Sequence, residues 1–231
     1  MFTWTAKPPA RPVIKPRLCH TILRIFFHGF SRLICRYRVT GLEHVPATGP
    51  LLIVANHLSW YDPMLLGVVL PRRVYFFTKS EIFRWPLAGK VVEWTGQIPV
   101  RRGESDRAAL EKALACLRDG KALMIFPEGT VERQEKMIPA QAGAAMLAMR
   151  TGVTVLPIAH VGTRRILRTF RSMWFPRVTI QIGEPFTPDM PANLPRKAAL
   201  QHITEEIMFH IAEILPVEHR GVYAHLEGLP P

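Results

Sequence analysis

A histidine and an aspartate lie close together in the sequence, just after an apolar segment ends. His57 and Asp62 follow the run Leu51–Ala55, and Pro63 comes directly after the aspartate. The apolar run predicts a buried strand and the Asp-Pro pair predicts the start of a helix, so both side chains belong to a strand-to-helix turn. Catalytic groups collect at such turns in open α/β sheets, because the strand holds the base of the turn rigid. The pair therefore predicts a general base, His57, whose ring is oriented by the carboxylate of Asp62.

A histidine beside a strand is more often a structural residue, so this pair needs support from other motifs. One is Phe126–Thr130, which follows the apolar run Ala122–Ile125. Its proline and glycine force a sharp exit from a strand, and Glu128 between them is costly to bury without a partner. Two further stretches have strand character: Gly96–Arg102, which ends in two arginines, and Val155–Ile158, which contains a proline.

Taken in order, these four stretches resemble the sequence blocks of the glycerophospholipid acyltransferase family, whose best-known members are the 1-acyl-glycerol-3-phosphate (lysophosphatidate) acyltransferases. The family's blocks are Asn-His-x-Ser-x-x-Asp, Gly-x-Ile-x-Val-x-Arg, Phe-Pro-Glu-Gly-Thr and a proline-bearing strand, and the resemblance covers about residues 36 to 190. It implies transfer of a fatty acyl group from a thioester to the hydroxyl of lysophosphatidate, making phosphatidate in phospholipid biosynthesis. It also implies no covalent acyl-enzyme, no metal and no bound cofactor, with acyl carrier protein or coenzyme A carrying the donor thioester.

The resemblance implies the same catalytic roles for His57 and Asp62 as the spacing does. The residues that it places in acceptor binding are Arg102, Glu128, Gly129 and Thr130. Arg102 supplies fixed charge for a phosphate, with a solvated surface arginine as the alternative. Glu128 would either bind a glycerol hydroxyl or hold Arg102 in place, and the alternative for it and Gly129 is a structural turn. Asn56 and Ser59 are expected to shape the turn, and a Ser59 nucleophile is a minor alternative.

Two positions depart from the family pattern and bear on the headgroup of the acceptor. Many members carry Arg directly after Phe-Pro-Glu-Gly-Thr and Lys shortly before the next glycine, whereas this sequence has Val131 and Gln141 there. Arg133 and Lys136 in the same loop could replace the two missing charges. The acceptor could instead be another lysophospholipid or a hydroxylated lipid.

The net charge of the 231-residue chain is +12, which calls for an anionic partner. Anionic membrane lipids account for this charge, and no stacking motif or recognition helix accompanies it to favour nucleic acid. The three cysteines are far apart and show no disulfide or zinc spacing, which favours a reducing cytoplasm. The other function classes kept open are a non-catalytic lipid-binding module of the same fold and a basic nucleic-acid-binding protein. The oligomeric state is not predicted.

The N-terminal part predicts a basic leader and an amphipathic helix over residues 1–36, followed by one acyltransferase domain over residues 37–231. In Arg17–Arg36 the apolar residues recur at helical spacing opposite Arg17, Arg24 and Arg32. A bilayer span needs about 20 apolar residues, and each central arginine costs roughly 2.5–3.5 kcal/mol. The helix is therefore expected to lie in the interface at the cytoplasmic face, as a peripheral or monotopic anchor. The alternative is that its apolar face packs against the sheet.

Alternating strand and helix patterns predict an α/β fold with a mixed central sheet flanked by helices. The predicted strands are Tyr37–Thr40, Leu51–Ala55, Val74–Thr78, Gln97–Arg101, Ala122–Phe126, Val153–Ala159 and Arg177–Ile182. The predicted helices, besides the N-terminal one, are Ser105–Arg118, Gln141–Arg150 and Arg196–Leu215. The bulky segment Trp85–Trp94 is expected to be a core helix, with part of an acyl channel wall as the alternative.

Overall fold

The computed structural model describes residues 16–101, 106–132, 134–166, 175–191 and 193–225, with only the backbone described over 16–20. The strands in these ranges are β1 (Arg36–Thr40), β2 (Leu51–Ala55), β3 (Val74–Lys79), β4 (Ile98–Val100), β5 (Ala122–Ile125), β6 (Val155–Val161) and β7 (Arg177–Ile182). The α-helices are α1 (Pro16–Ile34), α2 (Asp62–Val69), α3 (Ala88–Thr95), α4 (Arg107–Arg118), α5 (Gly143–Thr151) and α6 (Arg196–Glu213). The leader before Pro16, Arg102 and Arg133 lie outside the described residues.

All seven of these strands join one sheet in the order β1-β7-β6-β2-β5-β3-β4. Neighbouring strands are parallel except for β6 and β7, which run antiparallel. The prediction of a mixed central sheet flanked by helices is confirmed. The central strand β2 is buried along its whole length, because helices cover both of its faces.

Two apolar cores lie on the two faces of the sheet. One core contains residues of α4, α5 and α6 together with Leu52, Val54 and Leu123. The other contains residues of α2 together with Leu51 and Ile53 from the opposite side of β2. Side chains that alternate along a strand point to opposite faces, so β2 contributes to both cores and is held rigid by both. The residues that follow its carboxyl end are therefore attached to a strand that is packed on both faces.

Helix α1 packs against α2 with one side and leaves the other side exposed. Ile34 is buried, and the Ser31 hydroxyl lies 2.6 Å from the Tyr61 hydroxyl. Ile25 and Phe26, by contrast, are 69% and 62% exposed. The sequence left open whether the apolar face of this helix lies exposed or packs against the sheet. In the structure one side of α1 packs against helix α2 rather than the sheet, and the apolar residues on its other side remain exposed. In the ranges that the structure describes, we find no helix with both the length and the apolar character needed to cross a bilayer.

The expectation that Trp85–Trp94 forms a core helix is wrong. Leu87 is 80% exposed, and Trp85 and Trp94 are also exposed, while Gly89 is the buried residue of α3. The reason is that α3 packs beside α1 and a preceding 3-10 turn, Ser80–Arg84. Helix α2 already occupies the nearby sheet face, so apolar character alone did not place this segment in the core.

Candidate active site

Three neighbouring strands end at the candidate site. Strand β2 lies between β5 and β6 and runs parallel to both, so their carboxyl ends share one edge of the sheet. His57 follows β2, Phe126 and Glu128 follow β5, and His160 is the penultimate residue of β6. This edge is where ligands bind in open α/β sheets. The topology thus brings together residues that are far apart in the chain.

The Asp62 carboxylate organises the turn after β2. Its Oδ2 atom accepts hydrogen bonds from the backbone amides of Leu58 (2.8 Å) and Ser59 (2.7 Å). It also lies 3.0 Å from Nδ1 of His57. Asp62 is the first residue of α2, with proline next to it, and its side chain turns back over the residues that precede the helix. The sequence prediction that this carboxylate reaches a ring nitrogen of His57 is confirmed by the distance.

Asp62 remains ionised although it is fully buried. Burial by itself would raise the pKa of Asp62, but the neighbouring His160 and the hydrogen bond and charge of His57 hold that pKa below its usual value. Because an ionised carboxylate can only accept hydrogen bonds, Nδ1 of His57 carries the proton that points at it. In the neutral ring with its proton on Nδ1, the other nitrogen, Nε2, can accept a proton.

His57 is enclosed on two sides. Its ring stacks on Phe126 with centroids 4.1 Å apart and planes 17° apart, and its backbone carbonyl accepts a hydrogen bond from the Glu132 amide at 2.7 Å. Nε2 makes no hydrogen bond with any residue that the structure describes. The ring is therefore fixed in orientation, and the nitrogen that would take a proton is uncommitted.

Glu128 is buried beside this pair and lacks a hydrogen-bond partner for either carboxylate oxygen within the described ranges. Burial is the main cause that raises the pKa of Glu128 to about 8; the nearby His57 backbone opposes it, and the charges of Glu132 and Asp62 contribute to the rise. A buried carboxyl group without partners is costly, so it is expected where a ligand supplies the missing hydrogen bonds.

Gly129 and Thr130 continue the turn after Glu128 and are both exposed. The Gly129 amide donates to the Phe126 carbonyl at 3.0 Å, and its φ of +70° is the left-handed conformation that favours glycine. A side chain at Gly129 would meet Gln141, one of the two positions that depart from the family pattern. Of the residues singled out in the sequence, the structure thus gathers His57, Asp62, Glu128, Gly129 and Thr130 along one edge.

Arg102, which the sequence also predicts as a site residue, lies outside the described residues. Strand β4 ends two residues earlier, at Val100, and runs parallel to β3. Arg101 is exposed, and its backbone amide donates to Asp106, the residue that caps α4. The phosphate-binding role of Arg102 stays a prediction.

The side chains of Ser59 and Asn56 make hydrogen bonds that hold the turn after β2. The Ser59 hydroxyl accepts a hydrogen bond from the Tyr61 amide at 3.2 Å. The side-chain amide of Asn56 exchanges two hydrogen bonds of 2.9 Å with the backbone of His160. Sequence reasoning missed His160, although one signal was available: it is the single polar side chain in the apolar strand β6.

In the described residues no group of three or more His, Cys, Asp and Glu side chains could hold a metal ion. The prediction that the protein works without a bound metal or cofactor stays a prediction.

Comparisons with known proteins agree with the geometry. The model of the acyltransferase family matches residues 36–161, more than half of the chain. A lyso-ornithine lipid O-acyltransferase of Pseudomonas aeruginosa is 40% identical over 111 residues, which are 48% of this chain and 42% of that protein. A 1-acyl-sn-glycerol-3-phosphate acyltransferase of Bacillus subtilis is 28% identical over 178 residues, which are 77% of this chain and 87% of that protein. The matched region thus spans less than half of the Pseudomonas relative's own length.

A solved structure has the same fold. The crystal structure of the 1-acyl-sn-glycerophosphate (LPA) acyltransferase PlsC from Thermotoga maritima matches with a TM-score of 0.66. The match covers 86% of this chain and 80% of that chain at 24% sequence identity. At this identity the likeness establishes the architecture, a mixed sheet flanked by helices.

Proposed function

Because the chain belongs to the acyltransferase family, we propose that it is a membrane-associated O-acyltransferase that uses a thioester donor. The proposed acceptor is a lysophosphatidate-like lipid, and the product is phosphatidate. The observation that carries the proposal is the buried His57–Asp62 pair at the shared edge of β2, β5 and β6. A non-catalytic lipid-binding module would not need an ionised carboxylate aimed at a histidine whose second nitrogen is uncommitted.

The proposed reaction is a direct acyl transfer with His57 as general base. Nε2 of His57 takes the proton of the acceptor hydroxyl as its oxygen attacks the thioester carbonyl. The tetrahedral intermediate then collapses, the carbon–sulfur bond breaks, and the leaving thiolate receives that proton from His57. Asp62 keeps Nδ1 protonated and stabilises the imidazolium while it exists. No acyl-enzyme is formed in this scheme, in keeping with Ser59 being engaged in the turn.

Glu128, Gly129, Thr130 and Arg102 are proposed to bind the acceptor. Glu128 is the best supported of the four, because a glycerol hydroxyl could supply the hydrogen bonds that its carboxyl group lacks. Gly129 and Thr130 are exposed beside it and can line the entrance for the lipid headgroup. Arg102 comes two residues after the end of β4 in the sequence and is proposed to hold the phosphate.

A second candidate acceptor is a lyso-ornithine lipid or a similar hydroxylated lipid. Two observations favour it: the similarity to the Pseudomonas relative, and the uncharged residues Val131 and Gln141 at positions where many members carry cations. An ornithine headgroup has amine and carboxyl groups in place of phosphate, so it does not require those cations. The transfer chemistry at His57 would be the same.

The donor is proposed to be a thioester of acyl carrier protein or coenzyme A. The net charge of +12 suits both an acidic carrier protein and anionic membrane lipids. The membrane contact is proposed to be the apolar surface of α1 together with the start and end of α3; its exposed side chains are Ile22, Ile25, Phe26 and Leu33 of α1, Leu87 just before α3, and Trp94 of α3. Because α1 and α3 pack against each other, these side chains can act together at the cytoplasmic face of the membrane.

The division between a leader over 1–36 and a domain over 37–231 stays a proposal. Ile34 and Cys35, at the end of the proposed leader, belong to a core of the domain. Deleting the whole leader would therefore remove core side chains, and single substitutions on the exposed side of α1 are the cleaner test of its membrane role.

The function is tested by incubating the purified protein with a panel of lysolipids and both types of acyl donor, followed by mass analysis of the lipids. The panel contains lysophosphatidate, a lyso-ornithine lipid and neutral hydroxylated lipids. We expect one new ester on lysophosphatidate; preferential acylation of the lyso-ornithine lipid would support the second acceptor. A protein that acylates none of them while still binding liposomes would be a lipid-binding module, and preferential binding to DNA over liposomes would favour the nucleic-acid alternative.

A further inference from the structure

Strand β6 consists of apolar residues apart from one histidine, His160. This side chain is 1% exposed and lies against the turn that carries His57 and Asp62. A buried polar ring in the middle of a sheet needs hydrogen bonds, and it costs stability unless they are made. His160 therefore has either a structural or a functional reason to be in this position.

His160 and Asn56 exchange three hydrogen bonds across the sheet. The Asn56 side chain donates to the His160 carbonyl and accepts from the His160 amide, each at 2.9 Å. In this way it extends the β2–β6 ladder beyond the end of β2. The imidazole completes the exchange, since its Nε2 atom lies 2.7 Å from the Asn56 carbonyl. That carbonyl belongs to the peptide that leads directly into His57.

The contacts of the ring define its tautomer. A carbonyl oxygen can only accept a hydrogen bond, so the Asn56 contact requires a proton on Nε2. On the other side, the Thr163 hydroxyl lies 3.5 Å from Nδ1, at the limit of a hydrogen bond. Burial lowers the pKa of His160 and favours the neutral ring, although the charge of Asp62 acts in the opposite direction.

Nε2 of His160 also lies 3.6 Å from Oδ2 of Asp62. This distance is beyond a good hydrogen bond, and Oδ2 already accepts from His57 and two backbone amides. A neutral ring at this position presents its N–H dipole without bringing a second positive charge. If His160 were a cation, it would share the charge of Asp62 and weaken the stabilisation of the His57 imidazolium.

We propose that His160 is a positioning residue of the acyltransferase site: as the neutral Nε2–H tautomer, it holds the Asn56 carbonyl and leaves the charge of Asp62 to His57. It touches neither substrate and acts only through these two neighbours. The proposal rests on the proposed function, because its kinetic consequence is a consequence for the general base. A misplaced base slows the chemical step more than it weakens binding.

The test compares His160→Phe, which fills the space without a donor, with His160→Gln, whose amide can still donate to the Asn56 carbonyl. We expect His160→Phe to lower kcat by roughly 10- to 100-fold while KM for the acceptor changes less than about threefold. His160→Gln should recover most of the lost kcat. The matched control is His44→Phe, since Nδ1 of His44 contacts the Ile182 carbonyl at 3.0 Å on another part of the sheet. It should lose stability without a comparable loss of kcat.

A folded His160→Phe protein with kcat within about twofold of wild type would overturn the proposal, and so would a loss that His160→Gln does not rescue. If His160→Phe does not fold, nitrogen-15 spectra of the wild-type protein provide the second measurement. At pH 6.5, where an ordinary histidine is half protonated, the His160 ring should be mainly the neutral Nε2–H tautomer, despite Asp62 and His57 beside it. An Nδ1–H tautomer or a mainly cationic ring at that pH would contradict the proposal. These spectra do not depend on activity, so a wild-type protein that acylates no lipid would refute the proposed function without deciding this inference.

Discussion

Asp62 both shapes the turn after β2 and orients His57, and replacing its side chain would affect both roles at once. Its Oδ2 atom holds the amides of Leu58 and Ser59 as well as His57, so the same oxygen shapes the turn and orients the base. Because its pKa is lowered in the folded protein, the ionised carboxylate contributes stability above its ordinary value of 3.8, and this is lost as the pH falls through the lower folded pKa. A substitution at Asp62 therefore reports on folding and catalysis together.

Glu128 gives a second prediction about pH and stability, because its pKa is raised where that of Asp62 is lowered. The folded pKa is about 8 and the ordinary value is 4.5, so between these values the folded state binds a proton that the unfolded state has released. The contribution of Glu128 to the stability of the wild-type protein should then fall as the pH rises between these values, by at most about 1.4 kcal/mol per pH unit. Glu128→Gln removes the ionisable group, and its gain in stability over wild type should grow from pH 5 to pH 8.

Urea unfolding at several pH values measures this difference. The control is Glu43→Gln, at an exposed glutamate, which should differ from wild type by a constant amount. Parallel pH profiles of Glu128→Gln and wild type would show that Glu128 is not kept neutral by burial. The acceptor KM of Glu128→Gln should rise, since the amide cannot reproduce every hydrogen bond of a carboxyl group.

Arg102 yields a prediction about the acceptor's headgroup. Arg102→Ala should raise KM for a phosphate-bearing acceptor more than for a neutral one, because the lost interaction is with the phosphate. Arg101→Ala is the matched control, because it removes the same charge one residue away from the position that matches the family's block. Equal effects of Arg102→Ala on both acceptors, in steady-state kinetics, would give Arg102 a structural role.

The His57–Asp62 contact could be predicted from the sequence because both residues lie within one short turn. The Asn56–His160 contact could not be predicted in the same way, since its partners are 104 residues apart and meet through the pairing of β2 with β6. Nor does the sequence show that Glu128 lacks partners, because this depends on which side chains surround the turn. Contacts within one short turn could be predicted from the sequence, whereas contacts between distant segments depend on the topology of the sheet.

At the scale of elements, the loop between β5 and α5 is held by the C-terminal turns. The Met137 amide donates to the His219 carbonyl at 2.9 Å, and the Val222 amide donates to the Met137 carbonyl at 3.3 Å. The Tyr223 hydroxyl accepts from the Ala140 amide at 3.0 Å. This loop also contacts His57 through Glu132, so the C-terminal turns support the loop that is proposed to bind the acceptor.

Gly221→Ala tests this support. Gly221 has a φ of +55°, and an added Cβ atom would collide with the Met137 backbone. Gly152→Ala is the matched control, because Gly152 has a φ of +60° with no atom near enough to collide. Both variants should lose about 1–2 kcal/mol from the left-handed backbone, and Gly221→Ala should lose roughly 1–3 kcal/mol more and raise the acceptor KM. Equal losses in urea unfolding, with unchanged KM, would show that these turns do not support the loop.

The strands and helices themselves were largely predictable because most of them combine clear periodicity with clear ends. Strands β2 and β7 begin and end where the sequence places them, and α5 stops at Gly152, whose left-handed backbone ends the helix. The exception is α3 with its exposed tryptophans. Apolar composition predicts burial only when the rest of the fold leaves a core position open. Here α2 covers the nearby face of the sheet, and α3 lies outside the core.

At the scale of the whole molecule, the apolar surface of α1 and α3 predicts where the membrane lies. Phe26→Ser should reduce flotation with anionic liposomes, because Phe26 is 62% exposed and removing its ring takes apolar area out of the bilayer contact. Leu194→Ser is the control: Leu194 is 45% exposed but lies just before α6, which covers the opposite face of the sheet. Flotation should also weaken as salt rises, since cations contribute to the contact. Equal flotation of both variants would move the contact to another surface.

The central claim is that His57 acts as the general base of an O-acyl transfer, and mass analysis of lipids made by wild-type protein and by His57→Ala tests it most directly. With lysophosphatidate and a thioester donor, the wild-type protein should form phosphatidate. His57→Ala should remain folded and bind liposomes, yet turn over roughly 10²- to 10⁴-fold more slowly, because the acceptor hydroxyl loses its base. His202→Ala, at an exposed histidine of α6, is the control and should match wild type. Near wild-type turnover by His57→Ala would contradict the account.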